Sequence, residues 1–276
     1  MDKTLKATLK GKLPKKLLDL VPSSYDTVGD LAIFSDFPEE LVKKQKFIGE
    51  TLLNLRRNIK VVLKKSGKYS GTYRTPQLRI IAGERRKETT LNENGIRLKL
   101  HPEKTYYSVR SGNERKRIME QVRDGESILV MFSGIGPFSL VFSKHKSPKE
   151  IYSVEINPEA CKYQKENILL NKSKNIKLYL GDVRKIVPKL NKRFDRILMP
   201  LPRSAEKFLD IALKAAKKNS VIHFYDFLHE NDFNLAKEKI ESACKKAKRK
   251  YRILNFIKCG QFGPGIFRIC VDFKVL

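Results

Sequence analysis

The order of apolar and polar residues divides the chain into two parts of different texture. From Ser127 onwards, short apolar runs alternate with longer segments in which apolar residues recur every three or four positions. Short apolar runs are typical of buried strands and the longer spacing is typical of helices, so this part predicts a doubly wound, mostly parallel α/β sheet of seven strands. The predicted strands are 127–132, 150–155, 176–180, 196–199, 220–224, 251–258 and 267–273. The predicted helices between them include 159–171, 205–217 and 233–248.

The connection between the last two predicted strands is short. It runs from Gly260 to Gly265 and contains Pro264. A parallel crossover needs a dozen or more residues, so these two strands should pair antiparallel.

The first hundred residues predict a small α+β domain. The pattern favours an amphipathic helix over 1–20, a strand over 25–34, a helix over 38–55 and a short strand over 61–63. A basic loop then covers 64–76, and strands at 78–82 and 95–100 are joined by a turn at 92–95. We therefore expect an α+β RNA-binding domain over 1–105 and a catalytic α/β domain over 106–276, in which a helix begins at Asn113.

The net charge of the chain indicates what kind of partner the protein binds. The chain has 58 Lys and Arg against 30 Asp and Glu, a formal net charge of +28, and residues 51–100 alone hold 13 basic against 3 acidic residues. Such an excess favours a polyanion, most commonly nucleic acid. The alternative, a lysine-rich surface that only interacts with solvent, explains the total better than the local concentration.

The remaining composition bears on compartment and metal binding. The four cysteines are scattered without a metal-ligand spacing, which favours reduced thiols and no metal site. No apolar run reaches the roughly 20 residues of a membrane span, and the first residues lack the apolar core of a signal peptide. We expect a cytoplasmic protein that contacts no membrane.

Candidate ligand-binding residues follow the first three strands of the α/β part. Gly134 and Gly136 follow the first strand in a Gly-x-Gly loop, where the backbone can turn tightly beside a ligand. Glu155 lies 21 residues after Gly134, at the end of the second strand, and Asp182 follows the third. Carboxylates at these positions accept hydrogen bonds from ribose hydroxyls, although any single one could be a helix cap. Ser139 stands where a dinucleotide-binding loop has its third glycine, which favours a nucleoside ligand such as S-adenosylmethionine.

Several longer motifs resemble one enzyme family. They include Val130-Met-Phe-Ser-Gly-Ile-Gly-Pro-Phe, Glu155-Ile-Asn-Pro, Gly181-Asp-Val-Arg and Leu201-Pro-Arg-Ser-Ala, with Arg74-Thr-Pro and Asn113-Glu-Arg before them. As an ordered set they resemble the archaeal/eukaryal tRNA (guanine-N1)-methyltransferase family, together with its relatives that transfer an aminocarboxypropyl group in wyosine synthesis. The resemblance implies a Rossmann-like class I methyltransferase fold. It also implies methyl transfer from S-adenosylmethionine to N1 of the guanosine 3′ to the anticodon, position 37.

The resemblance also implies roles for individual residues. Glu114 matches the family's proposed base for the guanine N1 proton, and Arg74 matches the cation that stabilises negative charge on O6. By themselves, Glu114 suits a helix N-terminus and Arg74 suits a phosphate contact. The implied cofactor-binding residues are Tyr106, Tyr107, Phe132, Gly134, Gly136, Glu155, Asn157, Asp182 and Pro200. The implied tRNA contacts are Arg110, Arg115, Lys116 and Arg203, which could instead form a solvated surface.

Three departures from the family pattern keep alternatives open. Val130 stands where the family usually has an aspartate, and Pro200 stands where it usually has an asparagine. The stretch before Arg74 is too short for the extra N-terminal module that many of these methyltransferases carry. The hypotheses are therefore a tRNA (guanine-N1)-methyltransferase, an aminocarboxypropyltransferase on the same nucleoside, or a non-catalytic tRNA-binding paralogue. In each case we expect a monomer that binds the anticodon stem-loop.

Overall fold

A computed structural model describes residues 4–67, 73, 75–201 and 203–276. The chain divides into two compact units. One comprises the residues up to Glu93 together with Arg97–Val109, and the other comprises Asn94–Ile96 together with Arg110–Leu276. Arg74 and Pro202 lie outside the described residues. No helix in the described part of the chain is both long and apolar enough to cross a bilayer.

The first unit is built on a four-stranded sheet in the order β1-β2-β3-β4 and a two-stranded hairpin, β5-β6. Strands β2 and β3 pair parallel, and the other two pairs of the larger sheet are antiparallel. Leu9, Leu41, Ile48 and Leu52 are fully buried in its core. Its elements are α1 (Leu5–Leu9), α2 (Lys15–Leu20), β1 (Asp26–Val28), β2 (Leu31–Phe34), a 3-10 turn (Glu39–Lys44), α3 (Gln45–Leu55), β3 (Val61–Lys65), β4 (Leu78–Gly83), β5 (Thr89–Glu93) and β6 (Ile96–Leu100).

Three predictions for this unit need correction, two of them because of turn-forming residues. The single helix predicted over 1–20 is two helices, because Gly11 adopts a left-handed φ of +77° and Pro14 precedes α2. The single strand predicted over 25–34 is the β1-β2 hairpin, which turns at Gly29 with a φ of +59°. The turn at Asn94 and Gly95 joins β6 to β5, not to β4, because β5 is a separate strand that the prediction missed.

The second unit has the predicted α/β architecture. Its seven strands lie in the order β12-β13-β11-β10-β7-β8-β9. All neighbours from β11 to β9 pair parallel, and β13 pairs antiparallel with β11 and β12, as the short connection predicted. Its elements are α4 (Gly112–Gln121), β7 (Ser127–Met131), α5 (Pro137–His145), β8 (Glu150–Glu155), α6 (Pro158–Leu170), β9 (Ile176–Leu180), α7 (Val183–Lys189), β10 (Phe194–Met199), α8 (Leu209–Ala215), β11 (Ala216–His229), α9 (Asn234–Lys246), β12 (Tyr251–Gly263) and β13 (Ile266–Val275).

The largest correction here concerns α8 and β11. The helix predicted over 205–217 is a 3-10 turn (Ala205–Phe208) followed by α8, and β11 begins at Ala216, four residues before the predicted strand. The start of β11 is irregular, with a register shift against β10 and a left-handed φ of +66° at Asn219. Its polar first residues therefore lack the apolar pattern by which a strand is predicted.

Candidate functional site

The parallel strands bring the predicted ligand-binding residues to one edge of the second unit's sheet. Strands β7, β8, β9 and β10 point in the same direction, so the residues after them share the carboxyl edge, where ligands of open α/β sheets bind. Gly134, Glu155, Asp182 and Pro200 all lie at this edge. The edge is therefore the candidate active site.

The glycine loop has a backbone that few other residues could adopt. Phe132 directly follows β7 with a left-handed φ of +59°, and Gly134 and Gly136 have φ values of +57° and +88°. A Cβ on Gly136 would lie 2.7 Å from the side chain of Gln164, which packs against the loop from α6. The left-handed φ and this close approach together require glycine at position 136.

Glu155 holds this loop in place. Its Oε2 accepts a hydrogen bond from the backbone N–H of Gly134 at 2.7 Å, and its Oε1 accepts one from the N–H of Asn157 at 2.8 Å. The residue is only 8% exposed, and burial raises the pKa of the Glu155 carboxyl although these backbone N–H groups oppose the shift. A carboxylate has about four acceptor sites, so Glu155 can still accept a ribose hydroxyl beside these backbone N–H groups.

Asn157 and Asp182 cap the helices that follow β8 and β9. The Asn157 side chain accepts from the N–H of Glu159, and Asp182 accepts from the N–H of Arg184 at 2.8 Å. The Arg184 side chain also hydrogen-bonds to Asp182 and lowers the pKa of that carboxyl. These caps anchor the helix N-termini at the rim of the crevice.

The remaining predicted cofactor residues lie in different environments. The Phe132 ring packs edge-on against Phe208, with ring centroids 4.9 Å apart. Pro200 is half-buried at the centre of a tight turn in which the N–H of Leu201 donates to the carbonyl of Met199 at 2.7 Å. Tyr106 and Tyr107 belong to the first unit, where Tyr106 is exposed and the Tyr107 hydroxyl donates to Glu93 at 2.7 Å.

Glu114 is a buried carboxylate held by two side chains. It lies in the first turn of α4 and is 5% exposed. Arg117 donates from Nε to Oε2 and from Nη2 to Oε1, each at 2.7 Å, and the hydroxyl of Tyr225 on β11 donates to Oε1 at 2.7 Å. Three donors fix the plane of this carboxylate, while Oε2 accepts only one of these bonds.

A buried charge network continues from Arg117. Its Nη1 donates to Asp272 at 2.6 Å, and Asp272 also bonds to Nδ1 of His223 at 2.6 Å. The other ring nitrogen of His223 lies 2.7 Å from Nη1 of Arg196, which can only donate, so His223 is neutral with its proton on Nδ1. Burial lowers the pKa of His223 and would by itself raise that of Asp272, but the hydrogen bonds from His223 and Arg117 lower the pKa of Asp272 overall.

Three neighbouring residues in or beside this network are of types that can bind a metal ion. Ligand atoms of His223, Cys270 and Asp272 lie within 4.8 Å of one another. Both nitrogens of His223 are already hydrogen-bonded, and burial raises the pKa of the Cys270 thiol well above its ordinary value. We therefore assign the cluster to the internal network that supports Glu114.

Comparison with known proteins decides the family. A family model described as the TRM5/TYW2 methyltransferase domain matches residues 89–254, and one described as the TYW2 N-terminal domain matches residues 5–86. The chain belongs to the TRM5/TYW2 family. This confirms the family that the motifs resembled and its Rossmann-like methyltransferase fold.

Individual TRM5/TYW2 proteins are similar over most of their length. The chain is 39% identical over 264 residues to the tRNA (guanine(37)-N(1))-methyltransferase Trm5b of Pyrococcus abyssi, which covers 95% of this chain and 78% of that protein. The crystal structure of Trm5b from P. abyssi superposes with a TM-score of 0.86 at 38% identity, over the same shares of the two chains. The structure of aTrm5 with tRNALeu has a TM-score of 0.86 at 33% identity and covers 100% of this chain and 79% of that one.

A third relative represents the wyosine pathway. The tRNA(Phe) (4-demethylwyosine(37)-C(7)) aminocarboxypropyltransferase of Methanocaldococcus jannaschii is 30% identical over 258 residues. The match covers 91% of this chain and 97% of that protein. The TRM5/TYW2 family thus includes both reactions that the sequence left open.

The residues predicted to contact tRNA are not all at the surface. Arg110, Lys116 and Arg203 are exposed. Arg115 is only 3% exposed, because it lies on the inner face of α4 beside Glu114, so it is not part of the exposed basic surface. Arg74, the predicted partner of guanine O6, lies outside the described residues.

Sequence reasoning missed three residues that shape the site. Ile156, directly after Glu155, is a large aliphatic residue that is 42% exposed at the crevice rim, where an adenine ring could pack against it. The sequence could have indicated this residue, since an apolar residue directly after an acidic residue at the end of a strand has no polar role. The contact of Tyr225 with Glu114 gave no comparable signal, because the two residues are 111 positions apart in the chain. The contact of Arg117 could have been found, since Arg117 lies three residues after Glu114 on the predicted helix, a spacing at which opposite charges pair.

Proposed function

We propose that this protein transfers the methyl group of S-adenosylmethionine to N1 of guanosine 37 in tRNA. The observation that carries the proposal is the position of Glu155 and its glycine loop at the carboxyl edge of a TRM5/TYW2 methyltransferase domain. Its similarity to P. abyssi Trm5b supports the same reaction.

The crevice residues fit an adenosine-containing cofactor. Glu155 offers unused lone pairs for the ribose hydroxyls, and Ile156 offers an exposed apolar surface for the adenine ring. Gly136 keeps the loop close to α6, and Asp182 presents a carboxylate at the crevice rim. When bound, the cofactor supplies an electrophilic methyl group on a sulfonium sulfur. We extend this binding set to Tyr106, Tyr107, Phe132, Asn157 and Pro200.

Glu114 is the proposed base. Guanine N1 carries a proton that must leave before the nitrogen can attack a methyl group, and a carboxylate within hydrogen-bond reach can accept it. Oε2 of Glu114 has the acceptor capacity for this N1–H, while Arg117 and Tyr225 keep the carboxylate in one orientation. Loss of the proton moves negative charge to O6, where we propose that Arg74 stabilises it.

Basic side chains are proposed to position the RNA. Arg110, Lys116 and Arg203 are exposed on the catalytic unit, and Arg115 would need to turn outward to join them. The net charge of +28 favours phosphate binding, and the tRNA complex of the relative aTrm5 supports tRNA as the partner. Within tRNA, we propose the anticodon stem-loop as the part that binds.

Methylation of tRNA transcripts tests this function. Transcripts that carry G or A at position 37 are incubated with the purified protein and S-adenosylmethionine, and the nucleosides are analysed by mass spectrometry. We expect 1-methylguanosine from the G transcript and no product from the A transcript. Cofactor binding without methylation of the G transcript would refute the proposal and support the non-catalytic alternative.

Transfer of an aminocarboxypropyl group is a second candidate. It is favoured by the match of residues 5–86 to the TYW2 N-terminal domain and by the near full-length match to the M. jannaschii aminocarboxypropyltransferase. Pro200 is consistent with it, whereas the Leu201-Pro-Arg-Ser-Ala motif favours methyl transfer. The mass of the modified nucleoside separates the two, because one gains a methyl group and the other gains the larger amino-acid chain.

We further propose that the protein acts as a monomer in the cytoplasm. Its four cysteines are free thiols, three of them buried, which suits a reducing compartment. Light scattering of the eluted protein should give the mass of one chain, 31.9 kDa.

A further inference from the structure

An aromatic cluster lies on the second unit away from the glycine loop. Phe227 on β11 and Phe262 on β12 have ring centroids 4.6 Å apart, and the guanidinium carbon of Arg203 lies 5.9 Å and 5.2 Å from their respective centroids. We call these three residues the aromatic platform. The ring–ring distance and both cation–ring distances are within the range of attractive contacts.

The platform lies at the carboxyl edge of the sheet. Strand β11 runs parallel to β10, and β12 runs in the same direction as β11 because both pair antiparallel with β13. Phe227 and Phe262 are near the ends of their strands, and Arg203 follows β10. The platform therefore shares an edge with Glu155 but occupies the other half, beyond the Pro200 turn.

Exposure distinguishes the platform from ordinary core packing. Phe262 is 56% exposed, the highest value of any aromatic side chain that the structure describes. A ring that is more than half exposed contributes little to the core, because most of its apolar surface stays in contact with water. A half-exposed ring with a guanidinium beside it matches the surface on which unpaired nucleobases stack.

We propose that Phe262 stacks on an unpaired nucleobase of tRNA adjacent to the target guanosine. Phe227 supports the ring from behind, and Arg203 adds a cation at its edge for the base or its phosphate. This inference rests on the proposed tRNA substrate and assigns it a second contact, outside the crevice that takes the reacting base. Stacking accepts any base, so the contact contributes affinity and position without selecting a sequence.

The experiment uses an anticodon hairpin with 2-aminopurine on either side of the target guanosine. Its fluorescence reports stacking, and the same hairpin is assayed for methyl transfer. Phe262→Ala should weaken hairpin binding and raise KM by roughly five- to hundredfold, the range expected for one lost base stack, and it should change the fluorescence of the bound probe. Phe262→Trp should retain both properties.

Two matched controls separate the platform from general effects. Leu254→Ala removes an exposed apolar side chain from the other end of β12, and Arg252→Gln removes an exposed cation there. Both should bind the hairpin like the wild type, whereas Arg203→Gln should weaken it. A circular dichroism melt of each variant confirms that it folds.

The outcomes separate this inference from the proposed function. Unchanged binding and unchanged probe fluorescence in Phe262→Ala would overturn the platform, even with a wild type that methylates the hairpin. A wild type that binds the hairpin without modifying it, while Phe262→Ala loses binding, would leave the platform in place and refute the proposed reaction.

Discussion

The two halves of the carboxyl edge are built in different ways. At the ends of β7, β8 and β9, the main contacts are made by backbone N–H groups and short capping side chains around Glu155. At the ends of β10, β11 and β12, the contacts are made by long side chains, such as the exposed ring of Phe262 beside the guanidinium of Arg203. A rigid backbone suits a small ligand of constant shape, whereas long side chains can reach a large RNA.

The largest expected effect is on the base. In Glu114→Gln, the side chain keeps its size but cannot accept the N1 proton, so kcat for methyl transfer should fall by about 10²–10⁴-fold. Cofactor affinity should be unchanged, because the other half of the edge is intact. Single-turnover assays and calorimetry measure the two quantities. Glu120→Gln, an exposed substitution on the same helix, is the control; similar loss in both variants would refute the role of Glu114.

A steric clash in the glycine loop should lower the affinity for S-adenosylmethionine alone. Gly136→Ala would place a Cβ at 2.7 Å from Gln164 and at a φ of +88°, so S-adenosylmethionine affinity should fall by roughly tenfold or more. Gly125→Ala has a similar φ of +76° with nothing within 4 Å, so it carries only the backbone penalty of about 1–2 kcal/mol in the free energy of unfolding. Equal cofactor affinity in the two variants would contradict a preorganised loop.

Removal of the Tyr225 hydroxyl should lower kcat less than removal of the Glu114 carboxylate does. Tyr225→Phe deletes one of the three donors to Glu114, and a hydrogen bond to a charged group contributes about 1.5–3 kcal/mol, so kcat should fall roughly tenfold or more with little change in KM for tRNA. The pH dependence of kcat should shift as well, which a purely structural defect would not produce. Tyr251→Phe, at the edge of the same sheet, is the control. A change in KM alone would show that Tyr225 does not position the base.

The smallest expected effect is the pH dependence of the free energy of unfolding. Burial lowers the pKa of His223 in the folded protein, so below about pH 6.5 the unfolded chain binds a proton that the folded chain does not. The free energy of unfolding should therefore decrease as pH falls below that value, by at most about 1.4 kcal/mol per pH unit from this group, and be fully retained above it. Urea titrations between pH 8 and about pH 5 measure the slope.

His223→Gln tests the origin of this slope. Gln keeps one donor and one acceptor but does not titrate, so its slope should be shallower than that of the wild type. His229→Gln, at an exposed histidine, should retain the wild-type slope. Identical slopes in all three proteins would show that His223 is not the titrating group.

The sequence predicted one half of the carboxyl edge, at the ends of β7, β8 and β9, better than the other half. Gly134, Glu155 and Asp182 were found because each lies at or just after the end of a predicted strand, and parallel strands bring their ends together whatever the details of packing. The fold class followed from the same alternation of strands and helices.

The surroundings of Glu114 and the aromatic platform depend on contacts between distant parts of the chain, which no local sequence pattern indicates. Tyr225 contacts Glu114 across 111 residues, and Phe227 meets Phe262 only because β13 pairs with both of their strands. The break between α1 and α2 and the early start of β11 were missed for a local reason. Left-handed residues such as Gly11 and Asn219 interrupt the apolar pattern at those points.

A crystal structure with a non-reactive S-adenosylmethionine analogue and an anticodon hairpin tests the central claim most directly. The two halves should meet at one reaction centre, with the ribose hydroxyls on Glu155 and guanine N1 within hydrogen-bond distance of Glu114 Oε2. A target base bound beyond reach of Glu114, or an analogue whose methyl-equivalent group points away from N1, would contradict the account.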